Sequence, residues 1–113
     1  TPVLPDDKEL LRGKCIIAIG SYMPEMREIP DAVLDLVDNV YIELPYACEE
    51  SGDLSQPLAS GKLTKDRIKL MHEYLVSGEK EIKEGQTTYF KSVGMGLFDV
   101  CIAQKLYEVA KEK

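Results

Sequence analysis

The apolar positions of this chain gather in blocks that glycine, proline and charged residues separate. Residues 14–20, reading KCIIAIG, form a continuous apolar run with Gly13 before it and Gly20 at its end. Such a run reads as a strand buried on both faces, as in parallel sheets beneath helices. Residues 40–44, VYIEL, read as a second strand that Pro45 stops. Between them lies a polar, methionine-bearing loop over 21–29, followed by Pro30 in the place of a first helical residue. Val33, Leu34 and Val37 then recur at helical spacing and give residues 31–37 one apolar stripe. The order strand, loop, helix, strand leaves room for a right-handed crossover between parallel strands. This is half of a doubly wound sheet, where ligands bind outside the carboxyl ends of the strands. The loop over 20–28 stands at such an end.

The flanking segments are punctuated differently. Residues 6–11 have room for one or two helical turns before Gly13. Residues 46–51 read as a short helix with Gly52 just past its end, and 53–60 as irregular because Pro57 interrupts them. Thr64 suits an N-cap and Asp66 a first turn, with Ile68, Met71 and Leu75 as the stripe of a helix that Gly78 ends. Residues 79–85 form a charged, exposed connection. Residues 87–91, TTYFK, favour a strand. The chain breaks at Ser92, Val93 and Gly94, and a long helix follows over 95–111. Phe98, Cys101, Ile102, Leu106, Val109 and Ala110 share one face of it, while Gln104, Lys105, Glu108 and Lys111 take the other. So amphipathic a helix must pack on something.

Composition narrows the partners. The chain has 113 residues, enough for one modest domain with its own core, and 44% hydrophobic content makes it globular. A net charge of −6 argues against nucleic acid or an anionic membrane surface as partner. Lys65, Arg67 and Lys69 read as a solvated helix face. No apolar run is long enough to span a bilayer, and the first residues hold no apolar signal core. Cys15, Cys48 and Cys101 are odd in number and lack metal-ligand spacing. Free thiols suit a reducing compartment, so a cytoplasmic location is expected. His72 is the only histidine and has no ligand partner four residues on, so no metal site is expected.

The candidate chemistry is sparse. Glu25 and Glu28 follow the first strand and could serve as general bases or bind an amine, though Glu28 also suits the start of a helix. Tyr22 and Met23 could line a pocket or plug the core. Glu49, Glu50 and Asp53 read as a solvated acidic face, and His72 as a surface or packing residue. Gly94-Met95-Gly96 is not a dinucleotide fingerprint, because the third glycine position is Asp99, itself a helix-start acid. Ser92 sits at the strand-to-helix turn. It lacks the elbow sequence of a nucleophilic serine, but suits donating a hydrogen bond to a ligand.

Three segments, taken in order, carry a resemblance. They are TPVL at 1–4; IIAIG at 16–20 followed by Pro24, Arg27 and Glu28; and TTYFKSVGM at 87–95 followed by Asp99. With Gly52-Asp53-Leu54 between them, they resemble the ornithine cyclodeaminase/mu-crystallin family. That family includes alanine dehydrogenases and ketimine or pyrroline carboxylate reductases. The resemblance covers nearly the whole chain, and FKSVGM is its most specific part.

The resemblance implies the C-terminal part of a larger subunit, starting after the glycine-rich fingerprint and after the family's substrate-binding Arg and Lys. The implied fold class is α/β: the second half of a Rossmann-like doubly wound sheet plus a long C-terminal amphipathic helix. Residues 1–93 would be a partial NAD(P)-binding domain, and 94–113 a helix returning toward a dimerisation domain. The implied cofactor is NAD or NADP, the partner a small amino or imino acid, and the assembly a homo-oligomer. By position, Ile19, Gly20 and Ser21 would meet the nicotinamide side of the cofactor. Ser92 matches the family's cofactor-contacting serine, and Val93 its substrate-side neighbour. Tyr22 stands where cyclodeaminases carry a proton-handling acid, and Met26 where they carry a cofactor-contacting Lys. A phenol donates protons rather than accepting them near neutral pH. The resemblance therefore implies an amino or imino acid oxidoreductase rather than a cyclodeaminase, with the isolated chain inactive. The alternative is a non-enzymatic nucleotide-binding or self-assembling module.

Overall fold

The computed structural model describes residues 2–78 and 82–113. Four strands, β1 (Cys15–Ala18), β2 (Val40–Ile42), β3 (Ile68–Leu70) and β4 (Thr88–Lys91), form one sheet in the order β1-β4-β2-β3. All its pairings are parallel. The helices are α1 (Lys8–Leu11), α2 (Asp31–Leu36), α3 (Ala47–Glu50), α4 (Gly52–Ser60), α5 (Met71–Ser77) and α6 (Gly96–Lys111), with a 3-10 turn at Lys65–Arg67. The last strand in sequence is central in space. β4 pairs with β1 on one side and β2 on the other, so these two are parallel without touching. The α/β class and the half-sheet are as expected.

Register fixes what each face of the sheet presents. Ile16, Tyr89 and Val40 lie in one row, and Ala18, Lys91 and Ile42 in the next row on the same face. Ala32, Val33 and Leu34 of α2 and Leu54 of α4 pack against this face. Each fully buried leucine there contributes about 1.5–3 kcal/mol of transfer free energy. The opposite face presents Ile17, Phe90 and Tyr41. Tyr74 of α5 covers Tyr41, with ring centroids 5.3 Å apart. Ile17 is left 63% exposed, so β1 is not buried on both faces; its burial alternates. No described residue closes its second side.

Two expectations about the middle of the chain are corrected. The stretch with Pro57 is helical, as α4. Ser51 Oγ accepts the Asp53 N–H to start it, and Gly61 closes it at φ 81°. Leu54 and Pro57 are both buried. An interior proline costs about 3 kcal/mol, and burial of two apolar side chains is of the same size. Residues 64–77 are not one helix. Ile68 and Leu70 join the open edge of β2 as β3 and pack on the core, and helix begins only at Met71. Gly78 still ends it, at φ 69°. Pro30 is the N-cap of α2 and not its first residue, so the helix begins one residue later than expected, at Asp31. Of the charged connection expected over 79–85, residues 79–81 lie outside the described residues.

Arg67 is not part of a solvated helix face. Its guanidinium donates to the carbonyls of Leu34 (2.6 Å), Val37 (2.7 Å) and Asp38 (3.2 Å). The Leu34 carbonyl is one that the end of α2 leaves without an intrahelical partner, and Val37 and Asp38 follow that end. Asp35 on the same helix pairs with Lys62 at 2.7 Å and Lys8 at 2.8 Å, and these cations hold its carboxyl below the usual range.

The long helix forms as expected, from Gly96 with Asp99 in its first turn. It buries none of its residues, and Leu97, Val100, Ile102 and Leu106 are each at least 58% exposed. The partner expected for its apolar face is not among the described residues.

Arg67→Ala should lower unfolding free energy by about 2 kcal/mol, since hydrogen bonds to a charged donor are worth about 1.5–3. Urea denaturation reads this as a lower midpoint at unchanged slope. Arg67→Lys should recover little of it, because an ammonium cannot span three carbonyls as a planar fork does.

Candidate functional site

β1 and β4 end side by side. Ala18 pairs with Lys91, and the Ser92 N–H donates to the Ala18 carbonyl at 3.0 Å. The residues that follow each strand therefore emerge together at the carboxyl edge of the sheet. Ile19 and Gly20 lie on one side, Ser92 and Val93 on the other. Ile19 is 73% exposed, an apolar ledge at this edge. Val93 is half-buried against the core. Ser21 is turned inward: its hydroxyl donates to the Met26 carbonyl at 2.6 Å and lies 2.8 Å from Ser51 Oγ. Its side chain cannot reach a ligand while it holds these partners. Tyr22 points outward, 57% exposed, and Met23 is 41% exposed, so neither plugs the core.

Beneath the first loop lies a buried charge cluster that the sequence reading missed. Lys91 is fully buried at the end of the central strand. Its Nζ lies 3.2 Å from Asp53 Oδ2 and 3.7 Å from Glu28 Oε2. Asp53 is itself buried, so it is no part of a solvated acidic face. Its Oδ1 accepts the Glu28 and Ile29 N–H groups at 2.7 and 2.9 Å. Glu28 is not a helix-start acid; its Oε2 accepts the Gly20 N–H at 2.9 Å. The three side chains thus tie the loop over 20–29 to β4 and to the start of α4. Gly52 completes the join, because a Cβ there would run into the backbone carbonyls of Pro24 and Met26. Tyr89 sits on the same face as Lys91; burial first, then the negative charges of Asp53 and Glu28, push its phenol well above its usual range.

The second loop has its own anchor. Glu43 follows β2 and is buried. Its Oε1 accepts from Ser92 Oγ (3.1 Å), Val93 N (2.7 Å) and Gly94 N (2.9 Å). The turn needs Gly94 at φ 82°, a left-handed conformation that favours glycine. Glu43 also borders a cavity of about 460 Å³ lined by Leu44, His72, Phe90, Met95 and Phe98. One signal for these residues was in the sequence: Glu43 and Lys91 are charges inside otherwise apolar strand segments.

A model of the ornithine cyclodeaminase/mu-crystallin family matches residues 1–113. The chain belongs to this family. A Delta(1)-pyrroline-2-carboxylate reductase of Bacillus cereus is 36% identical over 116 aligned residues, covering all of this chain. The chain spans 35% of the length of that relative. Among solved structures of similar fold is a protein named as a probable ornithine cyclodeaminase from Bordetella pertussis Tohama I. It has a TM-score of 0.80 and 27% identity, and covers 99% of this chain and 36% of its own. The Delta(1)-pyrroline-2-carboxylate reductase of Thermococcus litoralis, solved with NADH and L-proline, shares the fold at TM-score 0.81 and 24% identity. It covers 98% of this chain and 35% of its own.

Lys91→Met should cost about 3–5 kcal/mol, because it leaves Asp53 buried without its counter-charge. Adding Asp53→Asn should restore about 1 kcal/mol or more, since an amide keeps an oxygen for Glu28 N and Ile29 N and removes the stranded charge. A denaturant-unfolding double-mutant cycle checks this; strictly additive losses would contradict the pairing.

Proposed function

We propose that this chain is the C-terminal part of an NAD(P)-dependent reductase of a small cyclic imino acid, the substrate class of its pyrroline-2-carboxylate reductase relatives. The observation that carries the reading is the pairing of Ala18 with Lys91, which sets Ile19 and Gly20 beside Ser92 and Val93 at the carboxyl edge of a parallel sheet. Ligands of such sheets bind at that edge. A nicotinamide ring is flat and apolar with one polar carboxamide. An exposed Ile19 beside the Ser92 hydroxyl fits both of its parts. When bound, the cofactor supplies the hydride.

The chain's own residues position and exclude. Ile19 would press on the ring face, and Ser92 would hold the carboxamide. Ser21 would contribute its backbone only, since its hydroxyl is engaged. Val93 would face the substrate. An imine that gains a hydride at carbon also gains a proton at nitrogen, and Tyr22, an exposed phenol, is the candidate donor. Residues 1–93 would form part of the nucleotide-binding domain, and 94–113 the helix that returns toward a dimerisation domain.

The test uses the full-length protein, reduced cofactor and 1-pyrroline-2-carboxylate. Consumption of NAD(P)H with formation of proline is expected. Failure to bind NADH or NADPH would sink the reading.

A second reading, a self-assembling module, is favoured by the exposed apolar residues of α6 and by the edge of β1 that no strand among the described residues pairs. It predicts concentration-dependent association of the chain in sedimentation velocity. A monomer across the accessible concentration range would overturn it.

A further inference from the structure

We propose that Glu43 is a positioning residue for the cofactor: it fixes the turn over 92–94 and, by taking the Ser92 proton, leaves that hydroxyl as a hydrogen-bond acceptor for the nicotinamide carboxamide NH2. The inference rests on the reductase reading and goes beyond it by fixing the polarity of the contact.

A serine hydroxyl has one proton and two lone pairs. The Ser92 proton goes to Glu43 Oε1 at 3.1 Å. One lone pair takes the Gly94 N–H, also at 3.1 Å. The Val93 and Gly94 N–H groups both reach Glu43 Oε1. Every one of these donors is engaged inside the protein, and one Ser92 lone pair remains. A turn in this state has nothing to offer a phosphate or carboxylate, which need donors. It suits an amide NH2.

Register explains why Glu43 can do this. Ile42 pairs with Lys91, so the next residue on each strand brings Glu43 beside Ser92. A carboxylate accepting several donors holds them more tightly than a neutral oxygen would, because charge-assisted hydrogen bonds are roughly twice as strong. The turn is thus set before any ligand arrives, and binding does not have to order it.

Three variants of the full-length protein test this: Glu43→Ala, Glu43→Gln and Ser92→Ala. In the absence of cofactor, Glu43→Ala should speed amide hydrogen exchange at Val93 and Gly94, while Glu43→Gln, which keeps an acceptor oxygen but loses its charge, should speed it less. Dissociation constants are then measured for NAD(P)H, for its acetylpyridine analogue (methyl in place of NH2) and for ADP-ribose. The parent should prefer the carboxamide over the acetyl form by about 2–10-fold, the worth of one neutral hydrogen bond. Ser92→Ala should abolish that preference, and Glu43→Gln should retain it. Glu43→Ala should weaken NAD(P)H about 5–10-fold and leave ADP-ribose unchanged. Binding of none of the three ligands by the parent overturns the reductase reading and this inference together. If NAD(P)H binds but Ser92→Ala keeps the preference, or Glu43→Ala weakens ADP-ribose equally, the inference alone falls. Should Glu43→Ala fail to fold, Ser92→Ala still decides the polarity of the contact, and Glu43→Gln decides the role of Glu43: exchange at Val93 and Gly94 as slow as in the parent overturns it.

Discussion

A lysine ammonium fully out of water at the end of the central strand constrains the rest of the carboxyl edge. Desolvating such a charge costs several kcal/mol, and only close counter-charges offset it. Lys91 finds two, Asp53 and Glu28, delivered by different segments. Asp53 can arrive only if α4 begins where it does, against the carbonyls of Pro24 and Met26. Glu28 can arrive only if the loop after β1 folds back over the sheet, where its carboxylate takes the Gly20 N–H. One buried charge thereby fixes the path of a nine-residue helix and the loop after β1.

A second carboxylate does the same on the other strand end. Glu43 is buried beside the Ser92 turn and binds it through one oxygen. The two anchors differ in kind. The Lys91 cluster is held by net opposite charges, so losing one member strands another. The Glu43 anchor is held by neutral donors, so a neutral amide there weakens the hold without stranding a charge. The first governs whether the edge folds; the second governs what the edge presents.

The architecture was legible in the sequence wherever a local pattern matched the final environment. KCIIAIG, VYIEL and TTYFK gave three strands, and the glycines at 78 and 94 marked the boundaries seen. The third strand in chain order was missed because Ile68 also fits a helical stripe with Met71 and Leu75, and only the open edge of β2 decides for a strand. Pro57 misled for the converse reason: its local cost is outweighed by burial that no window of sequence displays. At the site, Ile19, Gly20, Ser92 and Val93 do converge. The roles of Glu28, Asp53 and Lys91 were invisible, because the ion pairs that join them link Lys91 to residues far back in the chain, Asp53 and Glu28.

Several N–H groups at the carboxyl edge already have partners within the protein. The Gly20 N–H is held by Glu28, the Ser92 N–H by Ala18, and the Val93 and Gly94 N–H groups by Glu43. The Ser21 hydroxyl is held by Met26. With these donors engaged, Ser92 Oγ keeps one lone pair near the exposed Ile19, a good match to a neutral ring with a carboxamide. The same groups are a poor match to a carboxylate, whose oxygens need N–H or O–H partners or a cation. Lys91, at the end of β4, is buried between two carboxylates and cannot serve. A carboxylate at this edge would compete with Glu28 for the Gly20 N–H and with Glu43 for the Val93 and Gly94 N–H groups, two carboxylates that already hold them.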